Sequence, residues 1–157
     1  KHTSSECLKH LAQVNDYYCK MPYHNEMVKV LFDALLEKKV PVVIHCASGK
    51  DRTGICCMLV QKTLGAADKD ILDDYLQSNI AHQEAFEEET EKRKEEIEQI
   101  PEILPVFQMS KGVRKEIMES VLQELEQRYP DMEMYLHEEY GYTQEEIAKI
   151  QNWYVEK

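Results

Sequence analysis

One short segment of this chain combines a thiol, small residues and a guanidinium. It reads "HCASGKDRTG", residues 45–54, and places Cys46 six positions before Arg52. A thiolate is a strong nucleophile, and a planar guanidinium can bind two oxygens of one phosphoryl group. The segment therefore predicts a loop that binds a phosphoryl group above a cysteine nucleophile.

The residues on either side of the loop predict how it is held. "VPVVIHC", residues 40–46, is rich in β-branched residues and apolar on both faces, which is typical of a strand buried between helices. A helix is predicted from Thr53 to Leu64, ended by Gly65. Because ligands of α/β proteins bind beyond the carboxyl ends of the strands, this order favours an anion site at the loop.

The loop backbone is expected to supply most of the phosphate contacts. Small residues and Gly let consecutive N–H groups turn inward and form an anion-binding nest. The N–H groups, the helix dipole and the guanidinium should all lower the pKa of the thiol. The predicted phosphate-binding residues are Ala47, Ser48, Gly49, Lys50, Asp51 and Arg52.

The predicted chemistry is covalent. The phosphoryl group moves to the sulfur of Cys46, and water then hydrolyses the phosphocysteine. Thr53 should stabilise the sulfur as leaving group or cap the helix, His45 should orient the loop backbone, and Gly54 completes the loop. Lys50 should add charge at the loop rim for multiply phosphorylated substrates. No metal and no cofactor are required by this scheme.

The general acid that protonates the leaving group is left open by the sequence. Asp51 lies in the loop, although the adjacent Arg52 should lower its pKa and disfavour proton donation. Asp16 lies upstream in a polar "NDYY" stretch but fits an exposed helical surface. An N-terminal segment outside this sequence is the third source.

The rest of the chain predicts helices. Thr3 with Glu6, and Thr143 with Glu146, form capping-box patterns. The segment 23–39 has an apolar face, residues 113–129 have another, and Gly141 ends a short helix. "IPEILPVFQMSKG", residues 100–112, contains two prolines and is predicted to be a connection with a short turn. The expected apolar positions are Met27, Val30, Leu31, Ala34 and Leu35 in the first face and 113, 117, 121, 122 and 125 in the second.

A single strand cannot form a sheet, and no second convincing strand is found in 157 residues. We therefore expect the α/β fold class, with a parallel sheet covered by helices. On this hypothesis residues 1–157 form one phosphatase-like domain. Its remaining strands lie in a missing N-terminal segment, which we favour, or are supplied by a partner chain.

Composition narrows the function class. The net charge of −11 argues against nucleic-acid binding, and the longest apolar run, residues 55–60, is too short to span a membrane. An odd number of cysteines, five, without a metal-binding spacing indicates reduced thiols in a cytoplasmic protein. The chain begins with Lys, so an upstream targeting sequence stays open.

Much of the negative charge lies in "EAFEEETEKRKEEIEQ", residues 84–99, with eight Glu against three Lys or Arg. The plain interpretation is a solvated helix with pairs such as Glu88–Lys92. The alternative is that residues 81–112 form an acidic lid or insertion over the active site.

The loop resembles the H-C-x-x-G-K-D-R-T-G loop of the cysteine-dependent protein tyrosine phosphatase superfamily. It is most similar to the bacterial and fungal tyrosine/serine phosphatases with Lys-Asp before the Arg. "LGAADKDILDDYLQSN" and "VLQELEQRYPDMEMYLHEEYGYTQEEI" resemble later segments of that family, so the likeness runs from about residue 22 to the end. The resemblance implies a tyrosine-phosphatase-like sandwich, Cys46 as nucleophile and Arg52 as phosphate ligand.

The resemblance leaves several substrates and roles open. It implies phosphotyrosine proteins or phosphoinositides, since the Lys50–Asp51 pair is associated with family members that accept phosphoinositides. A pseudophosphatase that binds phosphorylated partners without turnover is a third hypothesis. A sulfur-transfer or arsenate-reducing enzyme is a fourth, which the residues around Cys46 disfavour.

Overall fold

A computed structural model describes residues 3–156, and in that range the regular structure consists of ten α-helices. The helices are α1 Ser4–Lys20, α2 Glu26–Leu36, α3 Asp51–Thr63, α4 Asp68–Ala81, α5 Gln83–Lys92, α6 Lys94–Gln99, α7 Ile103–Lys111, α8 Lys115–Arg128, α9 Met132–Tyr140 and α10 Gln144–Tyr154.

The α/β prediction is wrong, because no strand and no sheet occur in residues 3–156. The predicted strand, residues 40–46, is irregular, and Val43 is 82% exposed. A strand exists only through the ladder it forms with a neighbour, and no backbone group of residues 41–49 bonds another described backbone group. The β-branched residues of this segment could not provide the partner that a strand requires.

The helix ends follow the capping patterns of the sequence. Thr3 and Thr143 accept hydrogen bonds from the N–H groups of Glu6 and Glu146, and both glutamates bond back, so the two predicted capping boxes are confirmed. Gly141 ends α9 in the left-handed conformation at φ 76°, as expected for a C-terminal glycine.

The main core lies between α2, α3, α4, α8, α9 and α10, and α1 contributes Cys19 to it. All five predicted apolar positions of residues 113–129 are buried, namely Val113 just before α8 and Ile117, Val121, Leu122 and Leu125 within it. This agreement is expected, because a helix of mixed polarity has one face that gains from leaving water.

Helix α2 shows the limit of that argument. Leu31 and Leu35 are buried as predicted, but Met27 and Val30 are exposed and Phe32 is buried in their place. Because α2 is apolar on more than one face, periodicity could not decide which face turns to the core.

Residues 103–111 are helical, so the prediction of a connection with a short turn is wrong there. Pro105 is the third residue of α7, where its missing N–H has no intrahelical partner to lose. Ile103 and Phe107 are buried with Cys7 of α1 in a second, smaller core cluster.

The acidic segment forms α5 and α6, which pack with α7 into one helical unit, residues 83–111. Phe86 and Ile97 lie against the second core cluster, so the segment is not solvated on every face. The predicted pair is present, with Lys92 Nζ 3.4 Å from Glu88 Oε2. Among the described residues, no helix has the combination of length and apolar character that crossing a bilayer requires.

Asn79 of α4 fixes the chain between α7 and α8. Its side-chain amide donates to the carbonyl of Val113 at 3.0 Å, and its oxygen accepts from the N–H of Val113 at 2.7 Å. Val113 is fully buried, so both backbone groups depend on this one side chain.

We predict that Asn79→Ala lowers the free energy of unfolding by about 2 kcal/mol, because it leaves a buried donor and acceptor unpaired. Urea denaturation measures the change. Gln77→Ala is the matched control, since Gln77 bonds only an exposed carbonyl of its own helix. Equal, small losses in both variants would contradict the assigned role of Asn79.

Candidate active site

The loop between residue 46 and α3 curls as the sequence predicted. Gly49 has φ +62°, in the left-handed region, and no atom lies within 4 Å of where its Cβ would be. The N–H of Gly54 donates to the carbonyl of Lys50 at 2.8 Å, so the first turn of α3 continues directly from the loop. The free N–H groups of this helix end therefore lie beside the thiol.

The thiol of Cys46 is half-buried and surrounded by hydrogen-bond donors. Burial alone would raise its pKa, but the hydroxyl and N–H of Thr53 oppose that effect most strongly. The N–H groups of Ser48 and Lys50 add to it. Together they lower the pKa of Cys46 from its ordinary value of 9.0 to about 6. The thiolate is thus the main form near neutral pH.

Thr53 lies beside the thiol of Cys46. Its hydroxyl is buried and finds no hydrogen-bond partner of ordinary geometry in residues 3–156, which leaves it to interact with the Cys46 sulfur. It does not cap α3 through its side chain, because α3 begins two residues earlier, at Asp51.

Arg52 is exposed, and no acidic side chain of the described chain lies within ion-pair distance of it. Its guanidinium is therefore available to an anion. Arg52 and Cys46 line the same open cleft of about 720 Å³. The other walls come from α1, α2, α3, the loop and the segments before α2 and before the loop. The lining residues are Tyr17, Met21, Asn25, Met27, Val30, Leu31, Ala34, Val42, Val43, Ile44, His45, Ala47, Thr53 and Cys56.

Tyr17 of α1 lines this cleft and Tyr18 lies close enough to Cys46 and Arg52 to interact with their charges, and sequence analysis did not single out either. The rings of Tyr17 and Tyr18 meet edge to face with centroids 5.2 Å apart. Tyr17 is exposed and faces the cleft. Burial, followed by the charge of Asp51, raises the pKa of Tyr18 to about 12. Only the packing of α1 against the loop brings these rings to the site, since no motif marks them.

Lys50 does not lie at the rim of the loop. Its side chain is 5% exposed, and Nζ donates to the carbonyls of Met109 and Gly112, each at 2.8 Å. The third acceptor is Oδ2 of Asp51 at 2.6 Å. Only the backbone N–H of Lys50 faces the thiol of Cys46.

Asp51 turns inward with Lys50. Its Oδ1 is buried without a partner in the described chain, and the carboxylate does not line the cleft. Burial, and then the charge of Asp51, raises the pKa of the buried Tyr75 in α4. This position suits a structural role better than proton donation to a leaving group.

The remaining predicted residues lie as follows. His45 is exposed at the cleft, and no hydrogen bond to the loop backbone is found for it within residues 3–156. Asp16 is exposed, pairs with Lys20 at 2.6 Å and does not line the cleft. Ala47 lines the cleft and Ser48 directs its N–H to the sulfur.

The start of α3 fits closely against α4. A Cβ on Gly54 would lie 2.7 Å from Cδ2 of Tyr75, closer than side-chain packing allows. The glycine therefore lets α4 approach the turn that carries the donors of the site.

The sequence model of the tyrosine phosphatase family matches residues 1–156, and the chain belongs to that family. It is 30% identical over 135 residues to the triple specificity protein phosphatase PtpB of Mycobacterium tuberculosis, which covers 80% of this chain and 49% of that protein. It is 50% identical over 38 residues to the "Putative tyrosine-protein phosphatase" of Cupriavidus necator, which covers 24% of this chain and 14% of that protein. The match thus spans about half the length of the first relative and less of the second.

We predict that Gly54→Ala destabilises the fold by about 1–3 kcal/mol, because the methyl group overpacks the contact with Tyr75. Thermal unfolding measures the loss. Adding Tyr75→Leu should recover part of it by removing the ring, whereas Tyr75→Phe should not, since the ring edge stays. Full tolerance of Gly54→Ala alone would show that the contact is not tight.

Proposed function

We propose that this chain carries the phosphomonoesterase site of a protein tyrosine phosphatase that works through a phosphocysteine. The observation that supports this most is the lowered pKa of Cys46 in a loop that also presents the unpaired Arg52. Membership of the tyrosine phosphatase family supports the same reaction class.

In this proposal the loop N–H groups and Arg52 bind the equatorial oxygens of the phosphoryl group. The thiolate of Cys46 attacks phosphorus, the bond to the ester oxygen breaks, and that oxygen leaves as a phenoxide, which then takes a proton from water. Water then attacks the phosphocysteine, which releases phosphate and regenerates the thiolate. The Thr53 hydroxyl stabilises the sulfur when it becomes the leaving group in this second step.

The walls of the cleft favour an aryl ester over an alkyl ester. No Asp or Glu of residues 3–156 lines the cleft, so no carboxylic acid in this range protonates the leaving oxygen. A phenol departs as a phenoxide far more readily than an alcohol departs as an alkoxide, because its pKa is about 10. The exposed ring of Tyr17 also offers an aromatic edge or face to the phenyl group of phosphotyrosine.

The phosphoinositide alternative has lost the feature that favoured it. It depended on Lys50 as a free cation at the rim, and the Lys50 side chain is buried against α7. The pseudophosphatase alternative keeps one supporting observation, the lack of a carboxylic acid at the cleft. The relative called triple specificity keeps a broader substrate range among the outcomes to test.

Two further points belong to the proposal. Residues 81–112 could act as a lid only after a movement, since none of them lines the cleft in this conformation. A reducing compartment such as the cytoplasm suits the five free thiols, because the nucleophile has to stay reduced.

We predict that the chain hydrolyses an aryl phosphate and that Cys46→Ser lowers the rate by roughly 10³-fold or more, because a serine hydroxyl stays protonated. The activity should rise as the pH increases through about 6, since the pKa of Cys46 is lowered and the thiolate prevails above it. Equal turnover by both proteins would exclude Cys46 as the nucleophile. Binding of phosphate without turnover would favour the pseudophosphatase.

We predict a steep dependence on the leaving group. A phosphotyrosine peptide should react at least roughly 10²-fold faster than the matched phosphoserine peptide or a short-chain phosphoinositide. An alcohol, unlike a phenol, needs protonation by a general acid in order to leave, and such catalysis is worth about 10²–10⁴. Values of kcat/KM for the three substrates decide the question. Comparable values would show that an acid acts at this site.

A further inference from the structure

Lys50 is the most thoroughly bonded cation of the described chain. All three protons of its ammonium group have an acceptor, namely the carbonyls of Met109 and Gly112 and the carboxylate of Asp51. A cation that is 5% exposed tolerates burial only when it is paired in this way.

The two carbonyls belong to the C-terminal end of α7. The last carbonyls of a helix lack intrahelical partners, and the helix dipole places partial negative charge there. Lys50 therefore caps α7, while the backbone of Lys50 is part of the nucleophile loop, 59 and 62 positions away in the chain.

The backbone of the same residue points the other way. Its N–H is one of the donors to the sulfur of Cys46, and its carbonyl accepts the N–H of Gly54 at 2.8 Å. One residue thus joins three parts of the molecule: the end of α7, the first turn of α3 and the thiol.

We propose that Lys50 is a positioning residue, whose side chain anchors the nucleophile loop to the end of α7 and so holds its own backbone N–H on the sulfur of Cys46. This inference rests on the proposed function of the loop. It means that Lys50 helps to keep the thiol of Cys46 ionised. It also means that the unit of α5, α6 and α7 holds the nucleophile loop in place.

Other charged or titratable groups face Cys46 and have to be kept in place. They are Arg52 at the start of α3, Cys56 one turn later in α3, and Tyr18 of α1, with Asp51 close to Tyr18. A substitution of Lys50 removes none of them, so a change in the thiol would come from the loop geometry and from the lost charge of Lys50.

The test compares the ionisation of Cys46 in the native chain, in Lys50→Met and in Lys62→Met. Lys62 is the matched control, because it lies near the C-terminal end of α3, is 18% exposed and forms ion pairs with Asp68 and Glu126. The rate of alkylation by iodoacetamide is followed against pH, with Cys46→Ser as the blank for the other four thiols. This readout requires no turnover.

We expect Lys50→Met to raise the pKa of Cys46 by roughly one unit, as the loss of one hydrogen bond to a charged group predicts. Lys62→Met should leave the pKa of Cys46 unchanged, whatever its effect on the melting temperature. In the pH–rate profile for an aryl phosphate, the acid limb should move upward in Lys50→Met alone.

A second variant tests the other end of the anchor if Lys50→Met does not fold. A Cβ on Gly112 would lie 2.3 Å from Oδ1 of Asn79, so Gly112→Ala has to move either the Asn79 side chain or the backbone of residue 112, whose carbonyl Lys50 bonds. We expect a smaller shift of the pKa of Cys46 in the same direction, at a position outside the nucleophile loop.

Three results would overturn the inference. The first is an unchanged thiol in Lys50→Met with a raised KM for a phosphoinositide, which would make Lys50 a substrate contact. The second is an equal shift in the Lys62→Met control, which would reflect general loss of stability. The third is a native thiol without a lowered pKa. A shift in Lys50→Met without any turnover by the native chain would support the inference while the proposed function fails.

Discussion

The site depends on one constraint, the convergence of backbone N–H groups on the sulfur of Cys46. These groups stabilise a thiolate only if consecutive peptide units turn their N–H bonds to the same side. This arrangement costs conformational entropy, and the like partial charges of the N–H groups repel each other. Three features of the structure offset that cost. Gly49 accepts the left-handed conformation, α3 begins immediately behind the loop, and the Lys50 side chain binds the loop from below.

The charge distribution of the chain explains why the anion site is built from the backbone. The net charge is −11, so the field of the whole chain does not attract an anion. Local donors therefore have to supply the attraction at short range. Arg52 is exposed without an acidic partner in the described chain. The ammonium group of Lys50, in contrast, is bonded to Asp51 and to two carbonyls. Lys50 and Arg52 thus belong to one motif, but only the guanidinium of Arg52 is available to an anion.

Much of the helical structure could be predicted from the sequence because its signals are local. Capping boxes at Thr3 and Thr143 and the apolar face of α8 depend on residues three or four positions apart, and all of them are present. The errors occurred where the answer lies outside the segment. The residues before Cys46 favour an extended chain but find no neighbouring strand in residues 3–156, and Pro105 suggested a loop although the first turn of a helix accepts it. Packing against Cys7 decided that second case.

For the site, the sequence by itself determined which groups are available and in what order: a thiol, a run of small residues, a guanidinium and the start of a helix. That follows from chemistry within one stretch of ten residues, where covalent spacing alone limits how far Cys46 and Arg52 can separate. Only the tertiary structure decided where the long side chains point. Lys50 and Asp51 turn inward because acceptors on α7 lie behind the loop, and Tyr17 reaches the cleft because α1 packs beside it. No spacing rule encodes such contacts, since they join positions tens of residues apart through the packing of separate helices.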